Sequence, residues 1–94
     1  VPMRTLDRAE AESLLPPGGR FRQCFTIDGS VGTGQPVTIE SHAPHYLNVR
    51  YEHSVGGPYL EGKHFAVDEA TGSVHIVDDA SGESHIFYEP VQEA

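Results

Sequence analysis

The chain has 94 residues, with 14 Asp plus Glu against 6 Lys plus Arg and a formal net charge of −8. That length supports one domain, residues 1–94, around one modest core. The acidic excess repels phosphate backbones and anionic lipids, which argues against nucleic-acid and membrane-surface binding. Cys24 is the only cysteine, so an intrachain disulfide is excluded.

No apolar run approaches the roughly 18 residues needed to cross a bilayer. The start carries no basic-then-apolar leader pattern, and Val1-Pro2 ahead of Met3 reads as a cloning remnant or an alternative start. The expected location is cytoplasmic. Ten Gly and seven Pro point to a chain with many turns.

One helix is expected over residues 7–15. Asp7 is a good N-cap, and Glu10 three residues on completes a capping box. Leu6 and Ala11 stand where a hydrophobic staple would, and Ala11, Leu14 and Leu15 form a short apolar face. Pro16-Pro17-Gly18-Gly19 then ends the helix.

From Arg20 the hydrophobic period becomes two. Phe21, Gln23, Phe25 and Ile27 share one face of a first strand, and Arg22, Cys24 and Thr26 the other. Cys24 reads as a small buried side chain. The glycine-rich stretch 28–36 is expected to be a mobile loop. It lacks the Lys-Ser/Thr ending and the helix of a phosphate loop.

A second strand is expected over Val37–Ser41 and a third over Tyr46–His53, with Leu47, Val49 and Tyr51 on its apolar face. Three more follow near 64–68, 73–78 and 84–88. Their connectors end on Gly72 and near Gly82, as hairpin loops closed by left-handed glycines do. The fold class is therefore α+β: a short N-terminal helix on a curled antiparallel β-meander sheet of five or six strands, spanning about 20–89, with a loose tail at 91–94.

Registering the last three strands places Phe65 opposite Ile76, Val67 opposite Val74, Ile76 opposite Ile86 and Val74 opposite Tyr88. The opposite face then carries His64, His75 and His85 on diagonal positions. Three imidazoles at that spacing are the parts of an open Zn²⁺ site. Without metal they make a surface that titrates near pH 6, or simply a solvated sheet face.

A second group is His42, His45, Asn48, Arg50, Glu52 and His53. A carboxylate, an arginine and a histidine on one sheet face resemble, in architecture alone, the small microbial ribonucleases. The disulfide and contiguous motifs of that family are missing, so no residue role carries over. Tyr46, Tyr51, Tyr59, Phe87 and Tyr88 read chiefly as core.

These features favour a small acidic protein-binding, inhibitory or accessory module without intrinsic catalysis. Its unidentified partner is expected to be basic, with Glu61, Asp68, Glu69, Asp78, Asp79 and Glu83 as contacts. The alternatives are a histidine-based hydrolase, metal-dependent or ribonuclease-like, and a structural homodimer formed through a sheet edge.

Overall fold

The computed structural model describes residues 3–27, 29–32 and 34–91. In chain order the elements are β1 (Arg4–Leu6), α1 (Arg8–Leu14), β2 (Arg20–Ile27), β3 (Ser30–Val31), β4 (Gln35–His42), β5 (Leu47–Arg50), β6 (Val55–Gly56), β7 (Lys63–Asp68), β8 (Ser73–Asp78) and β9 (Ser84–Pro90). The strands form one open sheet in the order β1-β7-β8-β9-β2-β4-β5-β6, with β3 added to the end of β2. Every pairing is antiparallel.

The α+β class and the antiparallel sheet agree with the sequence reading. The strand number does not: among the described residues the sheet has nine strands rather than five or six. The additional strands, β1, β3 and β6, are two or three residues long. Alternation cannot show over so few residues, and neighbouring strands hold these segments in place. The stretch expected as a loop contains β3 and the start of β4, while Asp28 and Thr33 lie outside the described residues. The third strand stops at Arg50 because Tyr51 N–H donates to Ser54 O at 2.7 Å and turns the chain. Most of the tail expected to be loose, residues 92–94, also lies outside the described residues.

Helix α1 starts as its cap residues dictate. Glu10 N–H donates to Asp7 Oδ1 at 2.8 Å, and Asp7 N–H donates back to Glu10 Oε1 at 3.4 Å. Two orphan donors of the first turn are thereby satisfied. Seven residues give too little helix to stand alone. Leu6, Ala11 and Leu15 are accordingly buried, and Leu6 and Leu15 join the sheet in one apolar cluster. Among the described residues, no helix is long and apolar enough to cross a membrane.

That cluster also contains Val37 and Ile39 of β4, Leu47 and Val49 of β5, Val67 of β7, Val74 and Ile76 of β8 and Tyr88 of β9. Leu6 lies on the first strand of that order and Val49 on the last but one, so the sheet curls until strands near its two ends share a core. At the seam, the His42 ring on β4 lies 6.0 Å from the Phe65 ring on β7. Helix α1 and the chain after it staple the seam: His42 Nε2 hydrogen-bonds Leu15 O at 2.8 Å, and Gly18 N–H donates to Ile39 O at 2.7 Å. A second strap, residues 57–60, runs beside β5. Leu47 N–H donates to Pro58 O at 3.2 Å, and Leu60 N–H to His45 O at 2.8 Å.

The meander closes as its turn residues require. Gly72 and Gly82 take φ of 77° and 73°, a region that costs glycine nothing and other residues 1–2 kcal/mol, roughly.

Candidate functional site

The three meander histidines are the sharpest site expectation in the sequence, and most of the register behind it is present. Phe65 pairs with Ile76, Val67 with Val74, Ile76 with Ile86 and Val74 with Tyr88. A bulge between Ile76 and Val77 then intervenes, so that Val77 faces Ser84 and His85 becomes the extra residue. One residue of slip is enough to take His85 out of the expected row.

Each imidazole has its own local partner. His64 Nδ1 lies 2.5 Å from Asp79 Oδ1. His85 is exposed, with Nε2 3.5 Å from Glu83 Oε2 and Nδ1 3.4 Å from Thr26 O. His75 is half-buried, stacked on Phe87 with ring centroids 4.8 Å apart, and hydrogen-bonds the hydroxyls of Ser73 and Ser84 at 3.1 Å each. Among the described residues, no three His, Cys, Asp or Glu side chains are placed to hold one metal ion.

Burial also perturbs the titration of His75. Desolvation pushes its pKa below the ordinary 6.5, against the opposing pull of Asp68 and Glu89. A lowered folded-state pKa means the unfolded chain takes up the proton first as pH falls. The stabilising contribution is therefore complete above the unfolded value of about 6.5 and declines as pH drops below it. Urea midpoints between pH 7.5 and pH 5 should fall, and a His75→Gln variant should lose part of that slope. Equal slopes in the two proteins would show that other groups govern the acid limb.

The carboxylates proposed as contacts divide between two ends of the sheet. Asp68 and Glu69 sit at the β7–β8 turn, whereas Asp78, Asp79 and Glu83 sit at the β8–β9 turn, a full six-residue strand away. At about 3.4 Å per residue the two groups are roughly 17 Å apart. Glu61 joins the second group, because Asp79 N–H donates to Gly62 O at 2.9 Å and ties the two turns together.

Several of these acids already have work within the fold. Asp78 accepts from Ala80 and Ser81 N–H at 2.8 and 3.3 Å, which holds its carboxyl below the usual range. Glu69 pairs with Arg4, and Asp79 with His64. Glu61 is exposed and Glu83 meets only an exposed histidine, so these two offer the readiest charge at the β8–β9 end. A small apolar mouth opens beside Glu83, lined by Pro58, Ile76, Ile86 and the rim residues Lys63, Asp78, Glu83 and His85.

The second histidine group disperses. His42 is engaged with Leu15 O, Asn48 Nδ2 donates to Ser41 Oγ at 2.9 Å, and Arg50 Nε donates to Glu40 Oε1. Glu52 lies beyond β5 in the turn, where its carboxylate approaches His53 at 3.6 Å with both side chains almost fully exposed. Arg50 and Glu52 nevertheless line one open groove of about 420 Å³ with Arg20, Gln35, Pro36, Val37, Thr38 and Tyr51.

The aromatic residues divide as well. Tyr88 is fully buried and Tyr51 half-buried, as core residues should be, but Tyr46 and Tyr59 stand exposed in an edge-to-face pair at 6.0 Å. Cys24 is buried, with Sγ 3.0 Å from Glu89 Oε1. Burial and that carboxylate push its thiol up to about 11, which leaves it a poor nucleophile.

Comparison with known proteins adds no assignment: no protein-family model, curated protein or solved structure matches this chain.

Proposed function

We propose that the protein is a binding module that docks on a basic protein surface through the β8–β9 end of its sheet. The observation that carries this reading is the gathering of Glu61, Asp78, Asp79 and Glu83 around the Asp79–Gly62 hydrogen bond. These residues are separated by up to 22 positions in the sequence, and only the pairing of the two turns puts them on one rim. The neighbouring apolar mouth of Pro58, Ile76 and Ile86 supplies the desolvated centre that a charged rim alone lacks.

Charge complementarity of this kind acts chiefly on association rate and specificity, and it is screened by salt. The partner should therefore be retained at low ionic strength and released as salt rises. Glu61→Lys/Glu83→Lys is the informative variant, because it reverses two charges while leaving in place the bonds that the Asp78 side chain accepts and the Asp79–His64 pair. Affinity for a partner captured by the wild-type protein should fall about tenfold or more, with the salt dependence flattened. An unchanged affinity and salt slope in the folded variant would remove this end of the sheet as the docking surface.

A further inference from the structure

We propose that the groove between Arg20 and Arg50 binds the phosphoryl group of a small phosphomonoester, with the organic part lying against Pro36 and Tyr51. The inference starts from strand register. Arg20 of β2 stands opposite Thr38 of β4, and Thr38 stands opposite Arg50 of β5. Val37, Ile39 and Val49 point into the core, so alternation turns Thr38 and Arg50 outward. Phe21 packs against the core, which turns Arg20 to the same outer side. The result is a row of arginine, threonine and arginine across three neighbouring strands.

Two ladder steps of about 5 Å separate the two arginine backbones by about 10 Å. Long side chains rising from the ends of such a row can converge above its middle, where the Thr38 hydroxyl stands. Two guanidinium forks and a hydroxyl around one point suit a tetrahedral, doubly charged oxyanion better than a planar carboxylate.

The pairing of the cations points the same way. Arg4 and Arg8 are held by glutamates, Lys63 by Asp78, and Arg22 donates to Gly34 O at 3.1 Å. Among the described residues, Arg20 is the cation with neither an ion pair nor a side-chain hydrogen bond. Arg50 uses Nε for Glu40, a contact that orients the guanidinium and leaves its terminal nitrogens for another acceptor. The large net negative charge does not forbid the site, because Asp68, Glu69, Asp78, Asp79 and Glu83 belong to the two hairpin ends of the meander. Within the groove the opposing charge is Glu52 at the rim, with Glu40 already bound to Arg50.

The test is a calorimetric titration of the protein at pH 7.5 and low ionic strength with phenyl phosphate, inorganic phosphate and benzoate. Phenyl phosphate should bind saturably at one site, inorganic phosphate more weakly, and benzoate more weakly still. Arg20→Gln should weaken phenyl phosphate at least tenfold. Glu52→Gln should tighten it severalfold by removing the repelling carboxylate. Both positions are exposed, and unchanged thermal unfolding of the variants confirms that the fold persists. Absence of saturable binding, equal binding in Arg20→Gln, or benzoate binding as tightly as phenyl phosphate would each overturn the proposal.

Discussion

Gly57→Ala should destabilise the protein by about 3 kcal/mol or more, enough to unfold a large share of a small domain. A Cβ at this position would lie 1.6 Å from Leu47 O and 2.8 Å from Leu47 C. Both are backbone atoms of a core strand, so no rotamer change relieves the clash. The strap would have to lift, breaking the bonds from Leu47 N–H to Pro58 O and from Leu60 N–H to His45 O. Gly56→Ala is the matched control, since its Cβ would meet only Tyr51 Cε2 at 3.9 Å, an ordinary contact. Urea denaturation of the two variants gives the comparison. A Gly57→Ala midpoint close to that of Gly56→Ala would mean that residues 57–60 do not press on β5 as described.

The parts of the fold that can be read from the sequence are those with a repeating local signal. Helix α1 is announced by Asp7 and Glu10, and the meander by alternation interrupted at glycines; both signals span enough residues to be unambiguous. Strands β1, β3 and β6 are hidden because two or three residues carry no period, and their existence depends on partners distant in the chain. The Phe21–Pro90 pairing joins residues 69 positions apart, which no local pattern encodes. The bulge at Ile76/Val77 is hidden for a different reason. Val77 and Ser84 are both compatible with a regular ladder, and the slip becomes evident only in the pairing.

The candidate sites follow the same division. Residue types and faces are legible, but convergence is not. His64, His75 and His85 occupy neighbouring strands, yet each ring is drawn to a nearby carboxylate, hydroxyl or carbonyl instead of to a common centre. The six acidic positions divide because consecutive hairpin turns leave an antiparallel sheet at opposite ends. Arg20 and Arg50 lie 30 residues apart and meet across a groove only when two separate registers are known.

Gln23 shows how one buried polar residue can specify such a sheet, and its replacement should produce the second largest effect. Gln23 and Tyr88 are direct cross-strand partners on β2 and β9, and both are essentially inaccessible to solvent. Gln23 Oε1 accepts from Tyr88 Oη at 2.8 Å and from Tyr51 Oη at 3.2 Å. Burial raises the Tyr88 phenol well above its ordinary pKa, and the nearby Tyr51 adds to the effect, so the hydroxyl remains a donor throughout the physiological range. Gln23→Leu keeps the volume but strands the Tyr88 hydroxyl without an acceptor, at a cost of about 2 kcal/mol. Tyr88→Phe removes a donor while leaving Gln23 with Tyr51, and should cost about 1 kcal/mol. The double variant should lose less than the sum of the two by about 1 kcal/mol, because the second change removes the hydroxyl that the first left unpaired. A urea-denaturation cycle measures that coupling, and strict additivity would mean that the hydrogen bond contributes nothing specific. A coupling of that size would be assigned to the Tyr88–Gln23 hydrogen bond and the hydroxyl stranded when its acceptor is lost. An alternative β2–β9 register slipped by one residue would turn one of the pair to the opposite face and leave the other buried without its partner, a penalty that adds to the loss of the apolar pairing.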